Sequence, residues 1–167
     1  MKKKTSAMLL LMLLLNLAAT AQTAYKINIY KSKYLLEVLQ NNVKIYAFNV
    51  VFGNPIGDKF KEGDRKTPIG TFKIKAKYPH KGWKYFLWID YPTKESWTRF
   101  NTRKANGQLK KNDRIGGSIG IHGVPPNCDY LIAERSNWTL GCISLSRKNI
   151  EILYQLIPVG TEVQIFE

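Results

Sequence analysis

The sequence predicts a mainly β domain with a few short helices. Several segments alternate apolar and polar residues with the period of two that a half-buried strand requires. The clearest is residues 71–78, TFKIKAKY, in which Phe72 and Ile74 alternate with lysines. Similar alternation, or β-branched and aromatic residues in series, predicts strands over 27–30, 34–39, 43–52 and 85–91.

Turns and helix boundaries complete this prediction. Asn41-Asn42 is a turn between two strands, and residues 53–70, with four glycines and two prolines, form a long surface loop. One helix is expected from Thr93 toward Ala105, stopping at Gly107. A second follows Ser146, a good N-cap, and ends before Pro158, and residues 161–166 form a last strand.

The N-terminal residues are typical of an export signal. Three lysines at positions 2–4 precede an apolar run over 7–15, which is too short to span a bilayer, and a small-residue site at 19–21. We therefore expect residues 1–21 to be a secretory signal peptide and residues 22–167 to form one domain. The cleavage point has no cysteine, so a lipid anchor is not indicated. The alternative to a cleaved signal is a retained membrane anchor. We expect an exported protein of the periplasm or cell envelope, with no membrane association after cleavage.

The charge of the chain favours an anionic partner. The formal net charge is +14, of which the leader supplies three lysines, leaving about +11. Export argues against nucleic acid, so anionic envelope polymers, carboxylate-bearing peptides or a membrane surface remain. A solvated basic face without a specific ligand is the simpler alternative.

Residues 119–146 contain the groups that suggest chemistry. A strand-like segment ends at His122, and the residues after it force a turn. Cys142 follows Gly141, whose missing side chain gives a substrate carbonyl access to the backbone. N–H groups around Gly141 and Cys142 could hold an oxyanion, and an imidazole could take the thiol proton. Taken singly, each is better explained as a structural histidine or a buried cysteine, and the pair is what favours catalysis.

Cysteine side chains can also form a disulfide, and cysteine and histidine side chains can bind a metal. Exported proteins form disulfides, and a Cys128–Cys142 bridge would silence the nucleophile. A zinc site from both histidines and both cysteines lacks a short-spaced ligand pair, so we expect no metal.

The motifs resemble those of the L,D-transpeptidase catalytic domain, the YkuD-like family. His122-Gly123 is followed by Thr139-x-Gly141-Cys142-Ile143, and sixteen residues separate His122 from Thr139. The loop 62–72, EGDRKTPIGTF, is similar to the second family hallmark, and 149–165 resembles the end of the domain. The resemblance implies a mixed β-sandwich with short helices and no cofactor. It also implies an acyl-enzyme on Cys142, formed from a peptidoglycan stem peptide.

The resemblance implies specific roles. Cys142 is the nucleophile, His122 the base, the Gly123 carbonyl orients the imidazole, and Gly141 contributes to the oxyanion site. Candidate substrate-binding residues are Lys66, Trp138, Thr139 and Ser144.

The chain departs from the family pattern at two positions. Many members read S-H-G-C-I/V-R, whereas Leu140 and Ser144 replace the histidine and the arginine here, as in a YafK-like subgroup. Without the arginine, this position has no guanidinium to bind a substrate carboxylate through two parallel hydrogen bonds. Hydrolysis of wall peptides therefore stands beside cross-linking, and a non-catalytic peptidoglycan-binding module is a third possibility. Oligomeric state is not indicated by the sequence.

Overall fold

A computed structural model describes residues 24–167, and the predicted signal peptide, residues 1–21, lies outside them. The strands are β1 (Tyr25–Tyr30), β2 (Leu35–Gln40), β3 (Val43–Asn49), β4 (Gly70–His80), β5 (Lys84–Ile89), β6 (Gly120–Gly123), β7 (Ile143–Leu145) and β8 (Glu162–Phe166). The helices are α1 (Lys94–Ala105), α2 (Tyr130–Ala133) and α3 (Arg147–Leu156). This mainly β architecture with short helices confirms the predicted fold class.

The strands of the described chain form one eight-stranded sheet in the order β3-β2-β1-β8-β4-β5-β6-β7. β4 is eleven residues long and joins two regions, because its first residues pair with β8 and its later residues pair with β5. Most neighbours are antiparallel, but β1–β8 and β6–β7 are parallel pairs. The last strand, β8, therefore lies between β1 and β4 in the middle of the sheet.

Local sequence explains the element boundaries. Asn41 and Asn42 both have positive φ, as a tight turn between two antiparallel strands requires. The side chain of Thr93 accepts a hydrogen bond from Ser96 N at the start of α1, and Ser146 caps α3 in the same way. Both helices begin and end within a residue or two of the predicted positions.

The core fills the space between the sheet and the helices. The inward faces of the strands and one face of α3 contribute fully buried aliphatic side chains, among them Ile27, Leu36, Ile121, Leu153 and Val163. A smaller apolar cluster of Val51, Val124 and Ile132 packs against Cys128 and Trp138.

The structure differs from the prediction at β3. The segment 43–52 was expected to be continuous, but β3 ends at Asn49. Val51 instead exchanges two backbone hydrogen bonds with Ser144, at 3.0 and 2.8 Å. The chain thus leaves the β3 edge and crosses to β7, so it delivers the long loop 53–70 to the region of Cys142.

Candidate active site

Two adjacent parallel strands position His122 and Cys142. His122 lies on β6 and is opposite Ser144 on β7, and Cys142 lies two residues before Ser144. Side chains two residues apart in an extended chain point to the same side, so the imidazole and the thiol share one face of the sheet. Both line one cavity of about 720 Å³. The structure therefore brings together the two groups that the sequence paired.

The tautomer of His122 follows from its backbone contact. Nδ1 lies 2.9 Å from the carbonyl oxygen of Gly123, and because a carbonyl only accepts, Nδ1 carries the proton. Nε2 is then left with its lone pair. Gly123 itself cannot carry a side chain, since a Cβ would lie 2.6 Å from the carbonyl oxygen of Trp83.

Aromatic rings surround the imidazole. Trp83 stacks on His122 with ring centroids 4.3 Å apart, Phe86 stacks at 5.8 Å, and Trp138 meets it edge-on at 5.5 Å. His122 is only 1% exposed. Burial lowers the pKa of His122 to about 4, the hydrogen bond to Gly123 opposes this shift, and the charge of His80 adds to it. The imidazole is therefore neutral over most of the physiological pH range.

The thiol of Cys142 is half-buried and protonated at rest. Its Sγ contacts the carbonyl oxygen of Ser118 at 3.6 Å, within the range of a weak S–H donor. Burial raises the pKa of the Cys142 thiol, while a backbone hydrogen bond at Gly120 and the charge of Lys59 act in the opposite direction. The resting pair is thus a neutral thiol beside a neutral imidazole.

Thr139 stabilises the turn before Cys142 through two hydrogen bonds. Its hydroxyl donates to the carbonyl oxygen of Cys142 at 2.8 Å and accepts from the N–H of Gly141 at 3.2 Å. The hydroxyl of buried Thr67 donates to the carbonyl oxygen of Gly141 at 2.9 Å. Because the N–H of Gly141 already donates to Thr139, the N–H of Cys142 is the better candidate donor to an oxyanion.

Gly141 is required for a reason beyond substrate access. Its φ is +127°, and an added Cβ would lie 2.8 Å from the carbonyl oxygen of Lys66. Gly53 is tighter still, because its Cβ would lie 2.3 Å from the carbonyl oxygen of Arg65 and 2.4 Å from that of Thr139. The two segments with family-like motifs therefore pack backbone to backbone.

Asp64 organises the 53–70 loop. Its carboxylate accepts hydrogen bonds from the N–H groups of Phe60, Lys61 and Lys66 and from the ammonium of Lys59. Burial alone would raise the pKa of Asp64, but these bonds outweigh it and lower the pKa. Asp64 is therefore a turn residue with a fixed negative charge.

The predicted substrate-binding residues separate into two groups. Trp138 and Thr139 line the cavity with Cys142. The ammonium of Lys66 instead lies 5.7 Å from the Phe60 ring centroid, away from the cavity wall. Ser144 is fully buried opposite His122, and its Oγ has no hydrogen-bond partner in the described residues.

Several residues on the cavity wall were not singled out by the sequence. Trp83 comes from the turn before β5, Lys59, Glu62 and Arg65 come from the 53–70 loop, and Ser118 precedes β6. A positive φ at Arg65, +58°, is the local strain that often marks a functional loop, but φ is not visible in a sequence. The exposed Leu140 also borders the cavity.

Neither disulfide nor metal site occurs in the described residues. Cys128 and Cys142 are both free thiols. Residues 24–167 contain no cluster of three or more histidine, cysteine, aspartate or glutamate side chains suited to a metal ion. None of the helices in that range combines the length and apolar character needed to cross a bilayer.

Comparison with solved structures gives a consistent set of neighbours. The helical cell shape determining protein Pgp2 from Campylobacter jejuni is 23% identical, with a TM-score of 0.65 over 88% of this chain and 49% of that one. Bd1075 from Bdellovibrio bacteriovorus is 20% identical, with a TM-score of 0.59 over 89% and 50%. L,D-transpeptidase 3 from Mycobacterium tuberculosis, in complex with a faropenem-derived adduct, is 16% identical, with a TM-score of 0.57 over 87% and 61%.

These structures share the fold, and the chain spans about half the length of the first two. A search of curated protein sequences gave no match. The model of the YkuD family, described as the L,D-transpeptidase catalytic domain, matches residues 24–165. Because that match covers most of the sequence, the chain belongs to the L,D-transpeptidase catalytic domain family.

Proposed function

We propose that this protein is an exported cysteine acyltransferase that acts on peptidoglycan stem peptides, with Cys142 as nucleophile and His122 as general base. The observation that carries the proposal is the placement of both side chains on one wall of a single open cavity, with Nε2 of His122 free to accept a proton. Membership of the family supports the peptidoglycan substrate.

The chemistry follows from the neutral resting pair. Sγ of Cys142 attacks the peptide carbonyl carbon as its proton passes to Nε2 of His122. The oxyanion is held by the backbone N–H of Cys142, and His122 then gives the proton to the departing amine, leaving a thioester on Sγ. An incoming amine or water attacks the thioester, returns a proton through His122 and regenerates the thiol. The protein needs no metal or organic cofactor for these steps.

Lys59 and Arg65 supply the positive charge that a carboxylate-bearing substrate needs. Lys59 is 5% exposed, and Asp64 at 2.7 Å and the carbonyl of Lys61 at 3.0 Å hold its ammonium at the cavity wall. Arg65 lies at the exposed rim, with Nε 3.4 Å from the carbonyl oxygen of Thr139. We assign to this pair, and to Arg65 in particular, the carboxylate contact expected of Lys66, because the Lys66 ammonium lies off the cavity wall.

Mass spectrometry of muropeptides tests the proposal directly. The protein is incubated with disaccharide-tetrapeptides, and we expect 3–3 linked dimers, with disaccharide-tripeptides and the released terminal amino acid if hydrolysis competes. Cys142→Ala and His122→Ala should abolish both products while circular dichroism shows an intact fold. Full activity in Cys142→Ala would overturn the mechanism.

Intact-mass analysis with a carbapenem separates an enzyme from a binding module. The β-lactam carbonyl acylates a reactive thiol, so wild type should gain one adduct that Cys142→Ala lacks and Cys128→Ala retains. A module that merely binds the wall through its lysines should gain none.

Substitution of the two neighbouring cations tests the carboxylate contact. Arg65→Ala should raise KM for a tetrapeptide with a free C-terminus by about tenfold, the usual effect of losing one charge-assisted bond, and not for its C-terminal amide. Lys66→Ala is the matched control and should leave KM unchanged. Equal effects of both substitutions would show only a general loss of positive charge.

A further inference from the structure

The cavity of Cys142 adjoins a second groove. This groove has a volume of about 550 Å³ and lies between α1 and residues 113–117. Glu62, Gly116 and Gly117 line both spaces. The two glycines place no side chain between them, and a Cβ on Gly117 would find its nearest neighbouring atom 4.0 Å away. A single extended ligand can therefore occupy both.

An exposed indole forms one wall of the groove. Trp97 is 46% exposed, although tryptophan is usually well buried. It stands edge-on to buried Phe100, with ring centroids 5.9 Å apart, which fixes the base of the ring while leaving its surface open to solvent. A flat apolar ring next to polar groups is suited to the C–H face of a pyranose, which packs on aromatic surfaces while its hydroxyls bond at the edges.

The four charged residues that line the groove, Glu62, Asp113, Lys104 and Arg114, have a formal charge of zero. Arg114 pairs with Glu62 at 2.7 Å, Lys104 donates to the carbonyl oxygen of Asp113 at 3.3 Å, and the Asp113 carboxylate also pairs at 3.1 Å with Lys61, which lies outside the lining. In a chain with a net charge of +14, this balanced surface contrasts with the Lys59 and Arg65 wall of the cavity. It suits an uncharged ligand rich in hydroxyl and amide groups rather than an anion.

We propose that the groove of Trp97, Lys104, Asp113 and Arg114 is a carbohydrate subsite that binds the N-acetylated sugars attached to the stem peptide. The inference rests on the proposed function, since it assigns the peptide to the Cys142 cavity and its attached sugars to the adjoining groove. Its consequence is a preference for glycan-linked peptide over free peptide.

A kinetic comparison tests the subsite. Wild type should turn over a disaccharide-tetrapeptide with a lower KM than the sugar-free tetrapeptide. Trp97→Ala should raise KM about tenfold for the sugar-bearing substrate only, with kcat unchanged, since stacking on one aromatic ring accounts for about that factor. Trp97→Phe, which keeps an aromatic face, should retain most of the preference.

The control is Tyr46→Ala. Tyr46 is 41% exposed and stacks on Phe48, but it lies on the far edge strand β3. This substitution removes a comparable exposed ring and should change neither KM. If Trp97→Ala impairs both substrates equally, the ring is structural and the subsite is refuted.

Direct binding separates this inference from the proposed function. Chitotetraose should shift the indole N–H signal of Trp97 in ¹H–¹⁵N spectra of Cys142→Ala protein, and the shift should be absent in Trp97→Ala. If chitotetraose gives no shift and wild type treats both substrates alike, the subsite is refuted and the acyl chemistry stands. If neither substrate is turned over, the proposed function fails, and the titration alone decides whether the groove binds sugar.

Discussion

Protonation of His122 should cost the folded protein a measurable part of its stability. The folded-state pKa of about 4 lies below the ordinary value of 6.5, because burial among aromatic rings disfavours the imidazolium. As pH falls through about 6.5, His122 therefore binds a proton in the unfolded chain but stays neutral in the folded protein. The contribution of His122 to stability is fully present above pH 6.5, falls with pH, and levels off below pH 4.

The size of this loss follows from the shift. At about 1.4 kcal/mol for each pKa unit, the full cost is about 3 kcal/mol, and about 2 kcal/mol of it should appear between pH 7.5 and pH 5. No large discount for solvent screening applies, because His122 is 1% exposed. Other groups also titrate in this range, so the prediction concerns the difference from a variant that lacks the imidazole.

Guanidinium unfolding at a series of pH values provides the assay. His122→Phe keeps a ring against Trp83 but cannot titrate, so its stability should fall by about 2 kcal/mol less than that of wild type between pH 7.5 and pH 5. The variant starts from a lower stability because the Gly123 carbonyl loses its donor, but the comparison uses slopes. Equal slopes in the two proteins, or an imidazole that titrates near 6.5 by NMR, would refute the reasoning.

Three further substitutions test the framework around the site. Thr139→Val removes both backbone hydrogen bonds of the hydroxyl, so unfolding free energy should fall by about 1–3 kcal/mol and kcat should drop, while Thr139→Ser should retain both. Gly53→Ala should destabilise by about 1–3 kcal/mol or prevent folding, whereas Gly117→Ala, which meets no close atom, should be nearly neutral in chemical denaturation. Glu167→Ala should lower the unfolding free energy by about 1.5–3 kcal/mol, seen as a lower thermal midpoint, because the fully buried ammonium of Lys31 keeps only a carbonyl partner. Adding Lys31→Met to the Glu167→Ala protein should restore part of that loss.

Strong local patterns made most of the fold predictable. The alternation over 71–78 and the caps Thr93 and Ser146 determine β4 and the two longer helices through short-range physics alone. β7 was missed because three fully buried residues, Ile143–Leu145, show no alternation that distinguishes a strand. The early end of β3 was missed because the hydrogen bonds of Val51 go to a residue 93 positions later in the sequence, Ser144.

That His122 and Cys142 line one cavity could be expected from the sequence, because each lies in a short local motif and the chain has only two histidines and two cysteines. The rest of the cavity was not, because side-chain direction depends on tertiary packing. Lys66 and Arg65 are adjacent in sequence, yet one ammonium lies over Phe60 and the other cation borders the cavity. The position of Trp97 on the wall of a groove likewise depends on tertiary packing, and no sequence pattern predicts it.

The central position of β8 has a consequence for how the chain assembles. β1 to β3 form an antiparallel meander, β4 to β7 form a second set of paired strands, and the described pairings join the two sets through β8, which follows all of them in the sequence. Ile27 of β1 pairs with Val163 of β8, which is far away along the chain, so closing the sheet requires contacts between residues that are distant in sequence. A translation product truncated before residue 162 would present two incomplete sheets with open edges, a form prone to aggregation and to proteolysis.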